Sequence, residues 1–161
     1  MTSAFIAARA LLFATGFLWL WFWVIGVVQP LSRTWDAILP AWIALPGIVL
    51  IAIGAAGIVT CVALFVVRGR GTPAIFDAPR VFVAVGPYRY VRNPMYISAL
   101  ATFLGTGLYL RSFAVLVFVI AWLAVVHLFV VFIEEPGLHE RFGGSYDDYR
   151  RHVPRWLPRN P

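Results

Sequence analysis

Two short stretches of this chain hold residue types that can do chemistry. The first is Gly86-Pro87-Tyr88-Arg89-Tyr90-Val91-Arg92-Asn93-Pro94-Met95-Tyr96. The second is Glu134-Glu135-Pro136-Gly137-Leu138, followed by Phe142-Gly143, Tyr146 and Tyr149. Arg89 and Arg92 can hold a carboxylate or a lipid phosphate through charge-assisted hydrogen bonds. Glu134 and Glu135 can accept from hydroxyls or from an ammonium group. The tyrosines can stack on a planar ring or contact a cation. Pro87 and Pro94 stiffen the first stretch, which favours a preorganised site. Each piece alone also has a plainer use. The two arginines can simply enforce membrane topology. The glutamate pair can be a solvated helix end, although anions in the C-terminal half of a helix oppose its dipole.

The elements that must position these residues are apolar. The chain is 61% hydrophobic with 12% charged residues and a mean hydropathy of +0.85, which excludes an ordinary soluble domain and predicts an integral membrane protein. Its 161 residues suffice for one small helical domain. The net charge is +6, but no basic module interleaved with aromatics accompanies it, so nucleic acid is not an expected partner. Anionic headgroups of the cytosolic leaflet fit better. Cys61 lies alone in an apolar run, so neither a disulfide nor a thiolate metal cluster is available, and a buried structural cysteine is expected. His139, His152 and the acidic pair match no zinc-ligand spacing, so no metal is expected. The N-terminal apolar run lacks a small-residue cleavage site and reads as a retained helix.

Four spans can be drawn, at about 10–28, 41–67, 95–110 and 113–133. The first stops at Gln29-Pro30. The third is short for a full crossing. Only Arg111-Ser112 separates the last two, which predicts a tight hairpin. With four spans, one side collects Arg9, Arg68, Arg70, Arg80, Arg89, Arg92, Arg141, Arg150, Arg151, Arg155 and Arg159, and the other only Arg33 and Arg111. Eleven against two places both termini in the cytosol, with 68–94 and 134–158 as cytosolic segments. The fold expected is an all-α polytopic membrane bundle with a cytosolic helical tail.

Small residues Gly47, Gly54 and Gly57, with Gly105 and Gly107, predict close helix packing. Trp19, Trp21, Trp23 and Phe22 predict an aromatic belt at the lipid interface. The last span is expected to continue to about Phe142 and to end at Gly143-Gly144. Ser145 with Asp148 then resembles a capping box opening a short helix, stopped by Pro154 and Pro158. The arginines of that tail with Trp156 suit an interfacial anchor. His127 lies about two turns before Glu134 on the same face. It is either functional or a neutral histidine bonded to a neighbouring helix.

In this order and spacing, the run from Gly86 to Tyr96, Glu134-Glu135, Leu138, Phe142-Gly143, Tyr146, Tyr149 and Pro154 resemble the signature of the isoprenylcysteine carboxyl methyltransferase and phospholipid methyltransferase superfamily. Gly71-Thr72-Pro73 and Asp77-Ala78-Pro79 ahead of it resemble the bacterial members. The resemblance covers roughly 68–158. It implies a multi-spanning enzyme that uses S-adenosylmethionine at the cytosolic membrane face, and a lipidic or hydrophobic methyl acceptor. Carried onto these positions, it implies that Gly86, Pro87, Tyr88, Arg89, Tyr90, Asn93, Pro94, Tyr96, Glu134, Glu135, Leu138, Phe142, Tyr146 and Tyr149 surround the cofactor. It places Arg92, Asn93 and Glu134 at the reacting centre. Asn93 stands where the family often has His, and Asn cannot titrate. A carboxylate or thiolate acceptor needs no strong base, whereas an amine needs one from elsewhere.

Two other classes remain open. A membrane reductase of sterol-reductase type would bind a nicotinamide cofactor, but the tail is short for so large a ligand. The other is a small transporter or an assembly subunit; a proton-coupled exporter would need a carboxylate within the membrane, the first three spans contain none, and Glu134 lies at the end of the fourth. The acceptor's own chemistry is not readable from the residues. A bacterial inner membrane is the expected location.

Overall fold

The computed structural model describes residues 3–32, 36, 38–69 and 82–158, and within them every regular element is helical. The α-helices are α1 (Ser3–Val28), α2 (Ala44–Leu64), α3 (Pro94–Tyr109), α4 (Phe113–Phe129), α5 (Glu135–Phe142) and α6 (Gly144–His152). Arg33, Arg70, Arg80, Arg159, Gly71-Thr72-Pro73 and Asp77-Ala78-Pro79 lie outside the described residues.

Three stretches are long and apolar enough to cross a membrane: Leu11–Ser32, Ala41–Gly69 and Phe113–Phe142. The chain is an integral membrane protein. The remaining expected span, α3, has 16 residues; it rises about 24 Å, short of a hydrocarbon layer of about 30 Å. Large apolar side chains such as Leu11, Trp19, Phe22, Ile120 and Phe132 point outward at 67–71% exposure, the arrangement of a surface solvated by lipid.

Helix packing rests on two contacts of different kinds. Between α2 and α3 the backbones touch. A Cβ placed on Gly54 would lie 2.5 Å from the Ser98 carbonyl oxygen and 2.7 Å from the Thr102 amide nitrogen, and one on Gly105 would lie 2.6 Å from the Gly47 carbonyl oxygen. The hydroxyls along α3 donate inward to their own helix, Ser98 to Pro94 O, Thr102 to Ser98 O and Thr106 to Thr102 O. The facing helix therefore meets no unsatisfied polar group. Between α1 and α3 the contact is aromatic, with Trp21 stacked on Phe103 at 3.6 Å between ring centroids. This corrects the expectation of a uniform lipid-facing belt. Trp19 and Trp23 are exposed, but Trp21 is buried in a core with Ile25, Ala99, Phe103, Val115 and Val119. Successive odd positions on a helix turn through about 200°, so three tryptophans spaced by two cannot share a face.

The end of the bundle opposite the two motifs is closed by helix capping. The first three amides of α4 would be orphaned in an apolar setting. Phe113 N–H donates to Asp36 Oδ1 at 3.0 Å, Ala114 N–H to Ser32 Oγ at 2.9 Å, and Val115 N–H to Ser112 Oγ. Arg111, at a positive φ of 52°, makes the turn between α3 and α4 and donates to Leu39 O through Nε and Nη2.

The helix that carries the glutamates is continuous from α4 to α5 through a π turn at Val130–Glu134, and α2 ends in a second π turn at Phe65–Gly69. Gly143 ends α5 with φ 51°, its N–H bonded to His139 O. The expected capping box is not formed. Gly143 itself is the N-cap of α6, Ser145 already lies inside that helix and donates to Phe142 O, and Asp148 pairs with Arg151 instead. The left-handed glycine starts the new helix before Ser145 can cap it.

The α2–α3 contact makes a direct prediction. Gly54→Ala forces two backbones apart and should cost about 1–3 kcal/mol of stability, read as a lowered unfolding temperature in detergent. Gly16→Ala, where an added Cβ meets nothing within 4 Å, should not lower it.

Candidate functional site

The first motif folds as a 3-10 turn, Gly86–Arg89, leading into α3. Gly86 takes a positive φ of 59°, and a Cβ there would press Leu64 at 3.0 Å. The turn buries Tyr88 and Val91 and leaves Arg89 and Tyr90 exposed. Tyr88 packs its edge on Phe65 of the first π turn at 5.5 Å, in a small core with the fully buried Cys61. Asn93 precedes α3, but its side chain does not cap it.

Asn93 instead holds the C-terminal tail, together with Tyr88 and Arg92 of the same motif. Asn93 Nδ2 donates to Arg155 O at 3.2 Å, and Arg92 N–H donates to Pro154 O at 2.8 Å. Tyr149 Oη donates to Tyr88 O at 2.6 Å. The Glu135 carboxylate completes the clasp. It takes Arg155 through Nε at 2.7 Å and Nη2 at 3.0 Å, and Arg92 through Nη1 at 3.0 Å. At 11–12% exposure, Arg92 and Glu135 form a largely desolvated pair. Farther along, Trp156 Nε1 donates to His127 Nδ1 at 3.1 Å. An indole nitrogen only donates, so His127 accepts through Nδ1 and anchors the tail to α4.

Beside this clasp lies a partly open cavity of about 210 Å³, less than the roughly 300–1,000 Å³ of sites that swallow a drug-sized ligand whole. Of the residues singled out from sequence, Tyr88, Arg92, Asn93, Tyr96, Glu134, Glu135, Leu138, Phe142, Tyr146 and Tyr149 line it. Gly86, Pro87, Arg89, Tyr90 and Pro94 do not. They shape the turn and the start of α3. Seven wall residues were not among the site candidates drawn from the sequence: Phe65, Phe82, Val83, Val130, Ile133, Gly137 and Arg141. Phe65, Val130 and Ile133 lie in the two π turns, which carry no compositional signature. Gly137 and Arg141 were legible as one face with Glu134, at i+3 and i+7.

The two glutamates differ sharply. Glu135 is spent on two arginines. Glu134 has no ion pair among the described residues, and its Oε2 accepts from Tyr96 Oη at 2.9 Å. The aromatic wall is a cluster around Phe82, whose ring centroid lies 4.9 Å from Tyr149, 5.3 Å from Phe142 and 5.9 Å from Tyr146. Burial is the main cause that pushes the Tyr88, Tyr146 and Tyr149 phenols above their ordinary range. They are neutral donors and stacking faces, not bases. Arg92 Nε is buried with no hydrogen-bond partner, an orphaned donor in the cavity wall. The site thus combines an apolar aromatic recess, one carboxylate without an ion pair among the described residues and an ionic clasp of one acid and two arginines.

The sequence pattern of the phospholipid methyltransferase family matches residues 42–145. No curated protein sequence matches the chain. Among solved structures, the fold is similar to that of a eukaryotic intramembrane Ras methyltransferase, isoprenylcysteine carboxyl methyltransferase, with a TM-score of 0.63 at 20% identity. The match covers 82% of this chain and 48% of that protein, so the chain spans about half its length.

The clasp predicts a specific weakness. Glu135→Gln leaves Arg92 buried without its counter-charge and should cost about 3 kcal/mol, with faster hydrogen exchange in residues 153–157. Asp148→Asn, which breaks an exposed pair with Arg151, should change stability by less than about 1 kcal/mol.

Proposed function

The chain belongs to the phospholipid methyltransferase family, and on that premise we propose that it transfers a methyl group from S-adenosylmethionine to a lipidic or hydrophobic acceptor at a membrane face. The observation that carries the reading is that the 88–96 and 134–149 segments line one shared cavity. Its residues fit the cofactor. The Phe82, Phe142, Tyr146 and Tyr149 rings offer faces to a purine. Glu134 and the orphaned Arg92 Nε offer an acceptor and a donor to the polar part.

Bound S-adenosylmethionine supplies an electrophilic methyl group for in-line displacement. The chain contributes position and exclusion of water. Val130, Ile133 and Leu138 make the apolar wall along which a lipidic acceptor can lie. The clasp holds the tail over the cavity so that its geometry persists between turnovers. An acceptor carboxylate or thiolate reacts as the anion. An acceptor amine must lose a proton, and the uncommitted Glu134 carboxylate, held by Tyr96 Oη, is the group placed to take it. Asn93 acts in this scheme as a fastener for the tail and supplies no proton.

The topology that accompanies this reading has four crossings, with α3 completing the fourth. A helix this short is accommodated by local thinning of the bilayer at modest cost. The arginine distribution then puts both termini and the site on the cytosolic side, in a bacterial inner membrane.

Titrating the purified protein in lipid discs with S-adenosylmethionine and with NADPH tests the cofactor. Saturable binding of the first alone is expected, and binding of NADPH alone overturns the reading. With labelled cofactor and total membrane lipids, Glu134→Gln should lower the transfer rate by about 100-fold. An unchanged rate removes Glu134 from the reacting centre.

A further inference from the structure

The cavity contains a cation that no described protein group uses. Arg92 and Arg155 share Glu135, Arg150 pairs with Asp147 at 3.3 Å, and Arg151 pairs with Asp148. Arg141 lines the cavity from α5 and has no ion-pair or hydrogen-bond partner among the described residues. Nor can the two arginines marked from sequence take its place. Arg89 is exposed and outside the cavity wall, and Arg92 is already ion-paired to Glu135 through Nη1, so its free Nε offers a ligand a hydrogen-bond donor and not an unpaired charge.

Position makes Arg141 more than a surface charge. Glu134, Leu138 and Arg141 fall at i, i+4 and i+7, and all three line the cavity, so one helix face runs along it. Two helical turns separate Glu134 from Arg141, about 10 Å along the axis. The wall is therefore bipolar, with an uncommitted carboxylate at one end, an uncommitted guanidinium at the other and apolar surface between. A ligand carrying an oxyanion is repelled from the Glu134 end and drawn to the Arg141 end. A guanidinium can hold such a group through two parallel N–H donors.

We propose that Arg141 is the anion-recognition residue of this site. It grips the oxyanion of the bound ligand, either the carboxylate on the cofactor's amino-acid portion or the acidic group of the lipidic acceptor. The inference rests on the methyl-transfer reading above and adds a ligand-orienting residue that the two sequence motifs do not mark. Because Arg141 is exposed on a helix already formed, its substitution leaves the clasp and the core untouched.

The test compares wild type, Arg141→Gln and Arg141→Lys in lipid discs. S-adenosylhomocysteine and 5′-methylthioadenosine, which lacks the amino-acid portion, are the binding probes. Labelled-methyl transfer is also measured against the concentration of total membrane lipid. If the cofactor supplies the oxyanion, Arg141→Gln weakens S-adenosylhomocysteine at least tenfold, leaves 5′-methylthioadenosine within twofold, and Arg141→Lys recovers part of the loss. If the acceptor supplies it, cofactor binding stays within twofold while the apparent KM for lipid rises at least tenfold at unchanged kcat. Arg141→Gln matching wild type in every measurement overturns the proposal while leaving the methyltransferase reading intact. Failure of the wild-type protein to bind S-adenosylhomocysteine overturns both.

Discussion

One carboxylate holds the architecture of the site together. Glu135 sits at the start of α5 and receives Arg155 from the tail and Arg92 from the turn before α3. Two arginines on one acid leave a net positive clasp in a poorly solvated place, which is sustainable only while all three groups stay in contact. Backbone and side-chain bonds from Arg92 and Asn93 to Pro154 and Arg155, and from Tyr149 to Tyr88, run parallel to it. Together they close a loop between residues some sixty positions apart, and the cavity lies inside that loop. Its existence depends on the tail being folded back.

The membrane helices give the clasp something rigid to close against. Glycine contacts bring α2 and α3 to backbone distance, so the π turn at the end of α2 delivers Phe65 to Tyr88 and the cavity wall. The other π turn lies immediately before Glu135. A π turn adds a residue to one turn of helix and rotates the residues beyond it, and here the neighbouring glutamates end with different partners. Glu134 faces Tyr96 and the cavity, whereas Glu135 faces the arginines. The capping of α4 by Asp36, Ser32 and Ser112 fixes that helix at its far end, so the glutamates stand on a rod held at both ends.

Much of this was legible in the residues, and the reasons for what was not are physical. Helix limits followed from Pro30, Arg111-Ser112 and Gly143, because proline and left-handed glycine act locally. Tyr88, Tyr96, Tyr146 and Tyr149 could be gathered as wall candidates because aromatic residues next to charges stand out in an apolar chain. The division of labour between Glu134 and Glu135 could not be read, since adjacent identical residues differ only through the rotation of the helix beneath them. Phe82 sits in an unremarkable apolar run and becomes central through contacts with three rings distant in sequence. Arg89 and Arg92 look equivalent in sequence, yet the 3-10 turn directs one to solvent and the other to the clasp. Trp21 was hidden among its neighbours for the same geometric reason.

The central claim is that the two polar segments make one ligand site closed by the tail. Hydrogen–deuterium exchange of the full chain in lipid discs, with and without S-adenosylhomocysteine, tests it most directly. The account predicts that the ligand slows exchange together in residues 86–96, 134–149 and 153–157. Protection confined to one of these segments, or absent from all of them at saturating ligand, would contradict it.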